Sequence, residues 1–189
     1  APFDSELFGH WWFEGPDFLA DTYRALREHS SVRPATGSAH VKATGTPTAL
    51  ELPEGSWGKN GDFSMWLNAD TAWTWTRLWD LEERFWRAAP AALALPAANP
   101  VLAQAARELL LAQSSDWQFI ISTGEVVDYG ERRFCVHADA TEELVAALES
   151  GHDLAGAAVR AEELRTRDGL FPNVLDAVAR ALLPSAVIA

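Results

Sequence analysis

The chain has 189 residues, and its 15 Lys and Arg against 27 Asp and Glu give a formal net charge of −12 at pH 7. The 48% hydrophobic and 22% charged residues are typical of a folded globular domain, and the acidic balance argues against nucleic-acid binding, which needs clustered Lys and Arg. A single cysteine, Cys135, excludes an internal disulfide framework and every metal site built from several cysteines.

The first third of the chain alternates between aromatic, helical and Gly-rich segments. Residues 1–15 are dense in aromatic and charged side chains without a period of 2 or 3.6, which predicts a strand end running into a loop. Pro16 then opens a predicted helix over residues 17–29, because proline is favoured in the first helical turn. Residues 30–62 are rich in Gly, Pro, Ser and Thr, and this composition predicts an irregular surface segment that is either a linker or functional.

The remainder of the chain has a helical pattern. It begins near Asp70, and a first predicted helix reaches Ala88, with Pro90 as its stop. Further helices are predicted over residues 99–113, 125–137, 141–150, 154–168 and 173–183, with a short capped run at 117–122. From about residue 64 onward, the sequence therefore predicts an all-helical domain of about five or six helices.

Nine tryptophans make this residue type unusually frequent. Trp75, Trp79 and Trp86 share one face of the first predicted helix of the helical region, and core packing is the preferred interpretation. Trp57 and Trp66 lie instead in the irregular segment, where no helical or strand period buries them. A ring held on a loop needs a partner, and the spacing leaves two open: a neighbouring domain or the apolar C–H face of a sugar.

Carboxylates lie next to aromatic residues at two places. Asp4 and Glu6 stand near Phe3, Phe8 and Trp11, and a poorly hydrated carboxylate suits a general acid. The residues alone favour the alternative, a surface acid beside a buried aromatic patch. Asp116 precedes Trp117 at a break between helices, a pairing found in sugar clefts but more often a capping aspartate beside a packed indole.

We expect neither a metal nor a cofactor. The five histidines are scattered along the chain, so they do not form a ligand motif. The glycines at 55, 58 and 61 lack the preceding strand and the Gly-Lys-Ser/Thr ending of a phosphate loop.

Three segments carry a resemblance to a known family. They are FDSELFGHWWFEGP at residues 3–16, LPEGSWGKNGDFSMWLNADTAWTW at residues 52–75 and RELLLAQSSDWQFIISTG at residues 107–124. In this order they resemble the family 57 glycoside hydrolases, specifically the 1,4-α-glucan branching enzyme group. The resemblance covers the whole chain, although residues beyond about 140 match only in character.

The resemblance implies a (β/α)7 barrel followed by a helical domain. Residues 1–48 would be the final segments of the catalytic barrel, and residues 49–189 the C-terminal helical domain that covers the active cleft. The expected fold class is therefore mainly α, a helical domain preceded by the last part of an incomplete barrel. We expect the glutamate nucleophile in a larger barrel part upstream, so this chain alone is expected to be inactive.

The resemblance also implies roles for individual residues. Family members retain anomeric configuration with two carboxylates roughly 5–5.5 Å apart, and Asp4 is implied as the general acid/base. The implied substrate contacts are Trp57, Trp66, His10, Trp11 and Asp116, of which the first two would be acceptor platforms.

The expected function is that of the C-terminal portion of a branching enzyme, which cleaves α-1,4 and re-forms α-1,6 glucosidic bonds. The alternatives are an α-amylase-type hydrolase or other glucanotransferase of the same family, or a non-catalytic helical module that binds glycans or proteins. Expected partners are an α-glucan such as amylose or glycogen and the upstream barrel of the same enzyme, not a nucleic acid or a membrane. No apolar run approaches the ~20 residues of a membrane span, and no secretory signal pattern is present, so we expect a cytoplasmic location.

Overall fold

A computed structural model of the chain describes residues 3–45 and 48–183, which divide into two compact units, Ala1–Pro53 and Glu54–Ala189. All regular structure in these described ranges is helical, which confirms the mainly α fold class. Within them, no helix is both long and apolar enough to cross a membrane. The assignment of residues 1–48 to a barrel stays a prediction.

The first unit contains a π-helical turn, Leu7–Trp11, and two helices, α1 (Gly15–His29) and α2 (Gly37–Thr44). Helix α1 has Pro16 in its first turn, as predicted. The strand end predicted for residues 1–15 is wrong, because aromatic rings pack along this stretch at helical spacings. Phe8 contacts Trp12 with ring centroids 5.9 Å apart.

Helix α2 lies inside the segment that was predicted to be irregular. It forms because Thr36 caps it: the Thr36 hydroxyl accepts a hydrogen bond from the Ala39 N–H at 3.2 Å. The composition of residues 30–62 concealed this short helix.

Within residues 54–183, the second unit has six α-helices: α3 (Ala72–Ala94), α4 (Asn99–Ala112), α5 (Asp116–Thr123), α6 (Val127–Ser150), α7 (Leu154–Arg167) and α8 (Val174–Ala181). Helix α4 is central and packs against α3, α6, α7 and α8. It can do so because much of its surface is alanine, which lets neighbouring backbones approach closely. The buried alanines of α4 are Ala103, Ala105, Ala106 and Ala112.

Two predicted helix ends are wrong. Helix α3 continues through Pro90 to Ala94, because Pro90 is exposed while Ala89 and Ala92 beside it are buried. The helices predicted over 125–137 and 141–150 are one helix, α6. Their junction is fixed in the core, where the buried Thr141 hydroxyl donates to the His137 carbonyl at 2.8 Å.

The core packing predicted for three tryptophans of α3 is wrong for two of them. Trp75 packs against the core, but Trp79 is 57% and Trp86 42% exposed. The buried face of α3 is formed by smaller side chains: Leu78, Leu81, Phe85, Ala89 and Ala92. Trp79 follows the buried Leu78, and Trp86 follows the buried Phe85. Since each helical residue advances by about 100°, each of these two indoles lies about 100° around the helix from its buried neighbour.

A buried polar network joins α4 to α6. Glu108 is fully buried and accepts hydrogen bonds from Gln104 Nε2 at 2.8 Å and from His137 Nδ1 at 2.7 Å. The other ring nitrogen of His137 faces Arg133 Nη2 at 3.0 Å, and this donor places the imidazole proton on Nδ1. Both carboxylate oxygens of Glu108 are therefore partnered.

Pro90 should cost stability, because its ring removes the N–H that would bond the Trp86 carbonyl. We expect Pro90→Ala to raise the free energy of unfolding by about 1–2 kcal/mol, measured by urea denaturation. Pro100 is a matched control, since it lies in the first turn of α4 where no N–H is needed. An equal gain from Pro100→Ala would contradict this explanation.

The Glu108 network predicts a large loss on truncation. Glu108→Ala leaves Gln104 and His137 without their buried acceptor, so we expect a loss of about 3–5 kcal/mol in the free energy of unfolding. The control is Glu143→Ala, which removes an exposed carboxylate 3.1 Å from Arg160 and should cost less than about 1 kcal/mol. Equal losses in the two variants would show that the buried network adds no stability.

Candidate functional site

The predicted site residues are divided between the two units. Asp4, His10 and Trp11 lie in the first unit, and the others, Trp57, Trp66 and Asp116, lie in the second.

In the first unit, His10 and Trp11 are brought together by Glu6. The Glu6 Oε1 atom accepts a hydrogen bond from Trp11 Nε1 at 3.1 Å and lies 3.5 Å from His10 Nδ1. The His10 and Trp11 rings stack with centroids 5.2 Å apart. The result is an exposed aromatic and polar cluster, in which Trp11 is 74% exposed.

Asp4 lies before the π-helical turn of the first unit and is exposed. Its backbone carbonyl accepts from the Leu7 N–H at 3.2 Å, but its carboxylate makes no hydrogen bond to the part of the chain that the structure describes. The acid is therefore on the surface, and its neighbour Phe3 is 69% exposed rather than buried. The carboxylate is available to an external partner.

Sequence reasoning grouped Glu6 with Asp4 near Trp11 but did not predict its contacts with His10 and Trp11. The spacing to His10, four residues, would have indicated contact if the segment had been recognised as helical, whereas the contact with Trp11, five residues away, arises from the π-helical turn Leu7–Trp11. The predicted strand end concealed that signal.

Trp57 lies on the loop of the second unit that precedes α3, residues 54–71. Its ring is 74% exposed, and one side contacts Phe119 of α5 with centroids 6.2 Å apart. The loop closes through a hydrogen bond from the Ser56 N–H to the Gly61 carbonyl at 2.8 Å. Its turn places Asn60 at φ 64° and Gly61 at φ 73°, the left-handed region that Asn and Gly tolerate.

Trp66 lies on the same loop and is half-buried. The backbone at Gly58 passes so close to its ring that a Cβ atom at this position would lie 2.7 Å from Trp66 Cζ3. The Trp66 carbonyl accepts two hydrogen bonds, from Trp75 Nε1 and from Thr71 Oγ1, each 2.8 Å long. Both the ring and the backbone carbonyl of Trp66 are thus held by neighbouring residues.

Asn68 joins the loop to α5. Its Nδ2 atom donates to the Ser64 carbonyl and to the Ser122 hydroxyl, both at 2.8 Å, and its Oδ1 accepts from the Asp70 N–H at 2.9 Å. Helix α5 therefore supports both tryptophan-bearing parts of the loop.

Asp116 lies in the first turn of the same helix, exposed, and accepts a hydrogen bond from Ser114 Oγ at 2.7 Å. Trp117 beside it is packed, donating from Nε1 to the Leu111 carbonyl at 2.7 Å. Trp57 and Asp116 therefore lie at α5, and Trp66 is joined to this helix through Asn68.

One carboxylate of the loop has a shifted pKa. The hydroxyl and the backbone N–H of Ser64 both donate to Asp62, and these bonds lower the pKa of the Asp62 carboxyl. Because both donors belong to the loop itself, this carboxylate stabilises the loop and is not free to act as an acid.

A group of three potential metal ligands lies elsewhere, and sequence reasoning missed it. One ligand atom each from Glu108, His137 and Asp168 lie within 4.8 Å of one another. Both Glu108 oxygens and both His137 nitrogens already hold hydrogen bonds or close polar contacts, and Asp168 pairs with Arg167 at 2.6 Å. We assign these residues to packing, since an ion would have to displace those partners.

Known proteins match most of this chain. Residues 77–178 match the family model described as "1,4-alpha-glucan branching enzyme, C-terminal". The chain is 37% identical over 184 residues to the 1,4-alpha-glucan branching enzyme TK1436 of Thermococcus kodakarensis, covering 93% of this chain and 26% of that protein. It is 37% identical over 185 residues to the probable 1,4-alpha-glucan branching enzyme Rv3031 of Mycobacterium tuberculosis, covering 94% and 34%.

Solved structures agree. The crystal structure of the GH57-type branching enzyme from Pyrococcus horikoshii superimposes with a TM-score of 0.74 at 36% identity, covering 94% of this chain and 34% of that one. The chain spans about a third or less of the length of these relatives. It belongs to the 1,4-α-glucan branching enzyme family, and it corresponds to the C-terminal portion of the family's members.

Proposed function

We propose that the chain is the C-terminal portion of an enzyme that cleaves α-1,4 bonds in an α-glucan and re-forms them as α-1,6 branches. The observation that carries this proposal is the similarity to branching enzymes over 93–94% of the chain. The cell's glucan reserve, of the amylose or glycogen type, would be the substrate, and the upstream barrel of the same enzyme the partner.

In this proposal Asp4 is the general acid/base. It protonates the glycosidic oxygen at C4 of the leaving chain while a glutamate of the upstream barrel attacks C1. It then takes the proton from the 6-hydroxyl of an acceptor chain, and that oxygen displaces the glutamate from C1. The exposure of Asp4 supports this role, since both steps need its carboxyl group to reach substrate.

Trp57 and Trp66 are the proposed acceptor platforms. Sugar rings stack on indoles through their C–H faces, and a bound acceptor competes with water for the glucosyl intermediate. His10, Trp11 and Asp116 are proposed as further glucan contacts, because each is exposed and carries a polar or aromatic surface. Residues 1–48 would be barrel segments and residues 49–189 the domain over the cleft.

The test is an amylose incubation with the full-length enzyme, in which new α-1,6 linkages are counted against new reducing ends. Branching predicts many linkages per reducing end, whereas reducing ends without linkages would identify a hydrolase. Binding without either product would favour a non-catalytic glycan-binding module.

Asp4→Asn should lower turnover by on the order of 10²–10⁴, the contribution of one general acid. Asp17→Asn is the matched control, because it makes the same change at an exposed acid of α1 in the same unit. Turnover near wild type in Asp4→Asn would remove this residue from the mechanism.

Trp57→Ala should lower the ratio of α-1,6 linkages to reducing ends while cleavage continues, since water replaces the acceptor. The ring is 74% exposed, so its loss should change the free energy of unfolding by less than about 0.5 kcal/mol. Trp86→Ala removes another exposed indole, from α3, and should keep the wild-type ratio. An unchanged ratio in Trp57→Ala would exclude it as a platform.

A further inference from the structure

The indole of Trp66 could serve as a platform only if the loop that carries it is rigid. This loop has no regular secondary structure apart from one 3-10 turn, Lys59–Gly61. Backbone hydrogen bonds close turns within it, including the bond from the Ser56 N–H to the Gly61 carbonyl. Its attachment to α3 and α5 comes from side-chain contacts, and the structure shows which side chains make them.

The first anchor is the Trp66 carbonyl. Trp75 reaches it from α3, nine residues further along the chain, and Thr71 reaches it from the residue before α3. Thr71 is fully buried, and its hydroxyl also accepts from the Asn68 N–H at 3.1 Å. The indole N–H of Trp75 thus acts on backbone that bears the Trp66 ring, while its own ring packs against the core.

The second anchor lies two residues further on. Asn68 uses both amide hydrogens, one on the loop at Ser64 and one on α5 at Ser122, 54 residues away. No hydrogen of this amide is left for substrate, so its role is structural support of the loop.

The third constraint couples the two proposed platform residues. Gly58 follows Trp57 directly, and its backbone lies against the Trp66 ring too closely for any side chain. A displacement of Trp66 would therefore move the backbone next to Trp57 as well.

We propose that Trp75 and the Asn68–Ser122 pair are positioning residues for the acceptor glucan, acting through the Trp66 loop. This inference rests on the proposed function, in which Trp66 contacts the acceptor. If the loop loosens, the acceptor 6-hydroxyl is held less well and water captures more of the intermediate. The expected signature is a lower transfer ratio and a higher KM for amylose, with bond cleavage retained.

The experiment uses the full-length enzyme and the ratio of new α-1,6 linkages to new reducing ends. Trp75→Phe keeps an aromatic ring but removes the N–H, and we expect the ratio to fall roughly three- to tenfold, as for one lost hydrogen bond. Ser122→Ala removes the acceptor of Asn68 and should act in the same direction. Trp86→Phe makes the same change about three helical turns from Trp75, where the indole donates no hydrogen bond within the described residues, and should keep the wild-type ratio.

The outcomes separate this inference from the proposed function. If Trp66→Ala lowers the ratio while Trp75→Phe and Ser122→Ala do not, the positioning role is overturned and the platform role stands. If Trp66→Ala leaves the ratio unchanged in an active branching enzyme, the platform role fails and the positioning role with it. Thermal unfolding is measured in parallel. If Trp75→Phe does not fold, Ser122→Ala alone decides, because it deletes only one half-buried hydroxyl.

Discussion

The close approach of α5 to α6 is the constraint on which the site of the second unit depends. Helix α5 has only eight residues, too few to be stable alone. It is held by packing at Gly130, where a Cβ atom would lie 3.1 Å from Ile120 Cγ2, and by the buried Gln118, which donates to Thr74 of α3 at 3.0 Å. A larger side chain at Gly130 would push α5 away, and the loop contacts at Phe119 would move with it.

The same helix connects the site to the polar network of the core. Trp117 of α5 stacks against His137 with centroids 6.3 Å apart, and the Arg133 guanidinium lies 5.7 Å from the Trp117 ring centre. His137 in turn holds Glu108 of α4. An unbroken series of contacts therefore runs from the central helix to α5, so a site formed by a loop is supported by the most deeply buried part of the unit.

The sequence predicts this architecture where the signal is local. Pro100 marks the start of α4, and helical periodicity finds the helices of the second unit. Periodicity does not show which of two adjacent apolar faces of α3 is buried, so the core packing predicted for Trp79 and Trp86 is wrong. The burial of Glu108 could have been predicted, because this residue lies on one stripe of α4 with Val101, Ala105 and Ala112, which are buried. The Asn68–Ser122 bond spans 54 residues, and no local pattern encodes a contact at that separation.

Under the proposed function, the general acid/base Asp4 and the platform residue Trp66 have opposite physical requirements. A general acid/base must exchange its proton with substrate twice in each cycle, so a carboxylate committed to internal hydrogen bonds would lose reactivity. Asp4 has no such bond within the described residues. A stacking platform gains by immobility instead, because every motion it retains must be frozen when the acceptor binds. The loop at Trp66 meets that demand with hydrogen bonds from three side chains, those of Trp75, Thr71 and Asn68. Under the proposed function, these bonds lower the entropy that acceptor binding has to remove at Trp66.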